Sequence, residues 1–196
     1  MPTSRRVPWW TPMLVLAATV AQLAVAEWWP GIERFADKAF GARLLAYPAL
    51  MLLTPVVWWL VVGRRDRTAQ PPYTAFTLIM LPFLVDMTGN SLDLYDSLDW
   101  WDDVNHYVNW LLLLAGLGLL VAREVRPAWA MALLITGLGT ILAVGWELGE
   151  WFTFIRHGTE LDTAYEDTLG DLALGTLGSL TAGLLLSRRR RATARP

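Results

Sequence analysis

The chain has 196 residues, 55% of them hydrophobic, and a mean hydropathy of +0.37. It has no cysteine, which excludes disulfides and thiolate metal sites. The net charge is only −2, and no hydrophilic stretch is long enough for a separate soluble domain, so residues 1–196 read as one all-α, polytopic transmembrane domain.

Six apolar segments follow in chain order, approximately 11–29, 44–62, 73–89, 103–122, 128–154 and 167–187. At about 1.5 Å per residue, most can cross a hydrocarbon core of about 30 Å. Backbone groups in lipid must be satisfied internally, so each segment is expected to be a helix. The first follows Arg5-Arg6 and contains Ala24-Val25-Ala26, which is also the outline of a cleavable signal peptide. It is expected to remain as a membrane helix, and the rest of the topology is the same either way. Residues 31–43 mix apolar and charged side chains and suit a short interfacial helix. The third segment, from Tyr73, is short and expected to break at Pro82. In the fifth and sixth segments, Gly145-x-x-x-Gly149 and Ser179-x-x-x-Gly183 predict close helix packing between neighbours. Residues 188–196 form a basic tail.

Charge gives the orientation. If the six helices alternate, Arg5, Arg6, Arg64, Arg65, Arg67, Arg123, Arg126, Arg188 to Arg191 and Arg195 share one side, 12 of the 16 Lys and Arg. Only Asp66 and Glu124 join them, and the other 16 of 18 acids lie at or near the opposite side. The positive-inside rule then places both termini in the cytoplasm, with the chain spanning the cytoplasmic membrane. Tryptophan pairs at 9–10, 28–29, 58–59 and 100–101 fall near segment ends, as interfacial belts do.

Three acidic clusters lie on the outer side: Asp102-Asp103-x-x-His106, Glu147-x-x-Glu150 and Asp167-x-x-x-Asp171. Charges at membrane depth are costly unless paired, hydrated or metal-bound. At about 100° per residue, Asp102 and His106 share a face, with Asn109 continuing it, and Asp167 and Asp171 share another. Asp86 and Asn90 add a pair at the end of the third segment. Asp103 and Asp167 also suit helix N-termini, where carboxylates complete the first turn. Glu147 stands at a C-terminal end, which disfavours an anion, and no charge occurs in residues 136–146 before it. Oxygen ligands with one imidazole suit a divalent metal ion such as Mg, Mn, Zn or Fe. The expected metal ligands are Asp102, Asp103, His106, Glu147 and Asp171, with Glu150 and Asp167 as catalytic or supporting groups. Arg156 or Lys38 could instead pair with the acids. Such a site could act on a membrane lipid or lipid-linked substrate. The alternatives are an ion- or proton-coupled transporter and a structural or partner-binding subunit. No Walker, hydrolase-elbow, His-Glu-x-x-His or dinucleotide motif is present, and no nucleic-acid interaction is expected.

At Asp102-Asp103-Val104-Asn105-His106-Tyr107, Trp146-Glu147-Leu148-Gly149-Glu150-Trp151 and Glu166-Asp167-Thr168-Leu169-Gly170-Asp171, followed by Gly175 and Gly178, the chain resembles the YjdF-type bacterial membrane family and, more distantly, VanZ-like proteins. The resemblance covers roughly residues 75–185. It implies a small multi-helix membrane protein and supplies no activity.

Overall fold

A computed structural model describes residues 7–29, 31–32, 35, 38–122, 124–153, 155–157 and 159–193. Arg5, Arg6, Arg34, Arg123, Phe154 and Arg195 lie outside the described residues, as do most of the connection before residue 40 and the side chains of His157, Arg190 and Arg191. All regular structure among the described residues is helical. The elements are α1 (Trp10–Trp28), α2 (Phe40–Trp58, continuing as a π-helical turn Trp59–Gly63), α3 (Tyr73–Ser91), a single-turn α4 (Leu94–Ser97), α5 (Trp101–Val121), α6 (Ala128–Thr153) and α7 (Ala164–Thr193). Five of these, α1, α2 with its π-helical turn, α5, α6 and α7, are long and apolar enough to cross a membrane.

The sixth long helix, α3, is equally long but less apolar, and its place in the bundle explains why. It packs against α5 on one side and α1 on the other. Ala75, Phe76, Ile79, Met80 and Met87 are all buried. A helix enclosed by protein can carry a mixed composition that a lipid-facing one cannot. By contrast, α2 is largely exposed, with Leu45, Leu53, Val56, Val57 and Val61 all facing out. The expected break at Pro82 is absent, and α3 runs through it as one helix. Proline removes one backbone hydrogen bond, and packing of neighbouring helices makes that tolerable.

α7 is the hub of the second half, packing extensively on both α5 and α6. Small residues make this approach possible. A Cβ added at Gly178 would collide with the carbonyl oxygen of Tyr107 on α5, and one at Gly139 on α6 would collide with Ser179. Ser179 is fully buried, so the expected contact role of the Ser179 and Gly183 pair holds. The Gly145 and Gly149 pair does not do this, because nothing lies within 4 Å of a Cβ at either position. That pair faces outward, while α6 uses the Met131, Ile135, Gly139, Ala143 face for packing. Polar links reinforce the joints: Tyr107 donates to Thr181 at 3.0 Å, Thr140 and Thr176 lie 3.2 Å apart, and Ser187 donates to the Ala128 carbonyl at 2.6 Å.

The helix ends fall close to those expected, with two differences. α7 continues through Arg188–Arg191 to Thr193 instead of giving way to a separate tail. α2 begins at Phe40, which places Arg43 inside its first turn.

The glycine contacts predict opposite outcomes for two alanine substitutions. Gly178→Ala should lower stability by about 1–3 kcal/mol through overpacking. Gly145→Ala should stay within about 0.5 kcal/mol. Thermal unfolding in detergent reads both, and equal losses would contradict the packing described here.

Candidate metal centre

The helix ends converge. Arg43 at the start of α2 meets Asp86 near the end of α3, and His106 at the start of α5 meets Asp171 near the start of α7. Thr168 on α7 lies beside the Glu147 carboxylate near the end of α6. Trp146 on α6 contacts the Tyr47 ring on α2, centroids 6.3 Å apart. All the acidic clusters named from the sequence therefore occupy one end of the bundle.

Within that end, one group is compact. Single ligand atoms from Asp102, His106 and Asp171 all lie within 4.8 Å of one another. His106 Nε2 is 3.7 Å from Asp102 Oδ1 and 3.5 Å from Asp171 Oδ1. These separations exceed an ordinary hydrogen bond, which rarely passes about 3.2 Å. They match the edges of a coordination shell: metal bonds of about 2.0–2.2 Å in tetrahedral arrangement put neighbouring ligand atoms about 3.3–3.6 Å apart. Asp171 is 4% exposed and His106 9%. His106 Nδ1 is buried without a hydrogen-bond partner. Its Nε2 edge is thus turned toward the carboxylates, and the set of two carboxylates and one imidazole fits a divalent ion.

Helical periodicity accounts for this placement. Asp102 and His106 are four residues apart on α5, so both project from one face. Asp171 lies two turns into α7, where an N-terminal capping role is unavailable to it. Among the described residues, neither Asp171 nor Glu147 forms an ion pair with Lys or Arg.

The remaining expected residues sort around this group. Glu147 is 7% exposed and stands within electrostatic reach of Asp102 and Asp167 without entering the three-residue cluster. Glu150 is half-buried and lies within reach of Glu147, Arg43 and Asp86. Asp103 and Asp167 are exposed in the first turns of α5 and α7, as helix-start acids are. The expected cation partners are elsewhere: Lys38 pairs with Asp96 at 2.7 Å, and the Arg156 guanidinium sits 5.2 Å from the Phe152 ring centroid.

Asp86 belongs to a different structure. Its carboxylate accepts Tyr47 Oη and Tyr95 Oη, each at 2.7 Å, and Arg43 Nη1 at 3.3 Å. Asn90 donates to its backbone carbonyl at 3.0 Å. Asn105 donates in turn to Tyr95 Oη, and Asn109 donates to Asn105 Oδ1 at 2.8 Å. With its oxygens occupied by donors, Asp86 joins α2, α3, α4 and α5. Tyr95 comes from α4, which follows Asp93 in a left-handed conformation (φ 62°). Burial first, and then the charge of Asp86, push the Tyr95 hydroxyl well above the usual phenol range, which keeps it protonated and donating. Sequence reading missed Arg43, Tyr47, Tyr95 and Asn105. The available signal was Arg43, one of only four Lys or Arg on the acidic side.

Removal of the Asp86 carboxylate should strand the buried Arg43 guanidinium. Asp86→Ala is expected to cost about 3 kcal/mol, and Tyr95→Phe about 1 kcal/mol. Thermal unfolding of the purified protein checks this; an unaffected Asp86→Ala variant would remove the network from the fold's supports.

Comparison with known proteins agrees with the helical architecture. No curated protein and no solved structure matches the chain. A family model described as "Predicted membrane protein (DUF2238)" matches residues 11–192, nearly the whole sequence. The chain belongs to this predicted membrane protein family, DUF2238, the YjdF-type family that its motifs resemble.

Proposed function

We propose that this protein binds a divalent metal ion through Asp102, His106 and Asp171, on the outer face of a bacterial cytoplasmic membrane. The observation that carries this reading is the compact set of three ligand atoms drawn from α5 and α7. A metal there would neutralise the Asp171 carboxylate, which pairs with no Lys or Arg among the described residues, and would polarise a bound oxygen or water. Glu147 stands beside the ligands. Glu150 and Asp167 would hold or move a proton next to them. The ligands stand at the ends of membrane-length helices, and a position there at headgroup level would favour a membrane lipid or lipid-linked substrate. Orientation follows from charge: Arg64, Arg65, Arg67, Arg126, Arg188 and Arg189 all lie at the end opposite the acids.

Purified protein should retain about one equivalent of Zn, Mn or Fe by elemental analysis. Chelation should lower its unfolding temperature, since a ligand at about 100 times its dissociation constant contributes about 2.7 kcal/mol. Asp171→Asn and His106→Ala should lose the metal, whereas Glu150→Gln should keep it. Metal occupancy should fall on acidification, because carboxylate and imidazole bind metal only when deprotonated. Protein without metal, and indifferent to both chelator and added metal, would overturn the reading.

Topology is tested separately. A reporter fused after Pro196 should be active in the cytoplasm and silent outside. The reverse result would place the acidic end on the cytoplasmic side and remove envelope substrates from consideration.

A further inference from the structure

The end of the bundle opposite the acidic site carries a second feature. α2 ends in the π-helical turn Trp59–Gly63, and the chain then runs through a tight turn to Pro72 before α3 begins. Between the turn and this connection lies a cavity of about 680 Å³, walled by Trp58, Trp59, Arg64, Arg67, Gln70 and Pro71. Gly63 sits between the two indoles, and even a Cβ there would meet a Trp58 or Trp59 ring carbon at 3.2 Å. The Arg64 guanidinium lies 5.6 Å from the Trp59 ring centroid, so the aromatic wall holds one cation at the rim. Arg67 has no ion-pair partner among the described residues, and neither does the adjacent Arg65.

One acid also lines the cavity. Asp66 Oδ1 accepts the Thr68 hydroxyl at 2.6 Å and the Thr68 backbone N–H at 2.9 Å. These hydrogen bonds hold the Asp66 carboxyl below the usual carboxylate range, so it is ionised and committed to its own turn. Arg64 and Arg67 together outweigh it, leaving a cationic cavity with an indole floor at the end of a membrane-spanning helix. The chemistry is complementary to a phosphate diester attached to acyl chains: guanidinium groups match phosphate oxygens, and indoles favour the headgroup level. The exposed apolar face of α2, including Val57, Leu60 and Val61, continues from this cavity and would carry the acyl chains.

We propose that the α2–α3 connection binds the headgroup of an anionic phospholipid, with Arg64 and Arg67 holding its phosphate between Trp58 and Trp59. This site is independent of the metal centre. It gives the lipid a fixed seat on the protein beyond the general attraction of a basic loop for an anionic surface.

Native mass spectrometry of the full chain, released from detergent after titration with phosphatidylglycerol or phosphatidylcholine, tests the proposal. The wild-type chain should retain phosphatidylglycerol in preference to phosphatidylcholine. Arg64→Gln/Arg67→Gln should bind it roughly 25-fold more weakly, at about five-fold per arginine. Arg65→Gln/Arg188→Gln removes the same charge from the same end without touching the cavity and should bind as wild type. Equal weakening by both pairs would reduce the effect to net charge and overturn the site, as would unchanged binding in the Arg64/Arg67 pair. Thermal unfolding with inorganic phosphate distinguishes the source. An arginine-dependent stabilisation by phosphate alone, equal to that from phosphatidylglycerol, would assign the cavity to a free anion and overturn the lipid proposal. A Trp59→Leu variant, which leaves both arginines in place, should weaken phosphatidylglycerol retention and leave general basicity unchanged.

Discussion

The acidic end of this bundle depends on one ionic interaction, the pairing of Asp86 with Arg43 under two tyrosine hydroxyls. A carboxylate at this depth is tolerable only when its charge and its lone pairs are both answered. Asp86 meets that condition with donors from two other helices, Arg43 and Tyr47 on α2 and Tyr95 on α4, and Tyr95 carries the link on to Asn105 of α5. The result is a cross-brace joining α2, α3, α4 and α5 at the end where the other acids gather. Without it, α4 would be left with the Lys38–Asp96 pair at its surface, and Asn105, which adjoins His106 in α5, would lose Tyr95 as its acceptor.

Set beside Asp86, the neighbouring acids differ in kind. Asp171 is nearly fully buried, and the imidazole it faces is at 3.5 Å, too distant for a strong hydrogen bond. Glu147 is equally enclosed and has a hydroxyl partner without a cation. Thus one bundle end contains a saturated carboxylate and unsaturated ones within electrostatic range of each other. The first is explained by structure alone. The second group has no cationic side chain beside it among the described residues, and the proposed divalent ion would supply that charge at Asp171.

How much of this was legible in the sequence follows from the kind of signal each feature leaves. Helix placement was legible because apolar runs bounded by charges and tryptophans report directly on length and ends. The Asp102 and His106 pairing was legible because it is local, one helical turn. Its meeting with Asp171 followed only from alternating topology, and the structure bears that alternation out. The Asp86 brace was hidden because its partners come from other segments, Arg43 and Tyr47 from α2 and Tyr95 from α4, and no periodicity within the Asp86 segment points to them. Gly145-x-x-x-Gly149 misled for a related reason. Spacing shows that two small residues share a face, but not that the face meets a neighbour. Pro82 misled because an isolated-helix penalty was applied to a helix that its neighbours enclose.

The two ends of the molecule answer the same membrane with opposite chemistry. At one end the acids are withdrawn among helices, where low dielectric makes each uncompensated charge costly and so makes a bound cation valuable. At the other, Arg64 and Arg67 stand at an exposed rim with an aromatic wall, where a guanidinium keeps its hydration and gains from an anion. Burial would therefore set the kind of partner proposed for each end: a small, hard ion inside the acidic bundle, and an amphiphile with a phosphate head at the basic rim. α2 connects the two, contributing Arg43 and Tyr47 to the brace at its start and Trp58, Trp59 and Arg64 to the cavity at its end. Its exposed apolar length between those points makes it the helix through which lipid at one surface and the acidic site at the other would be held in register.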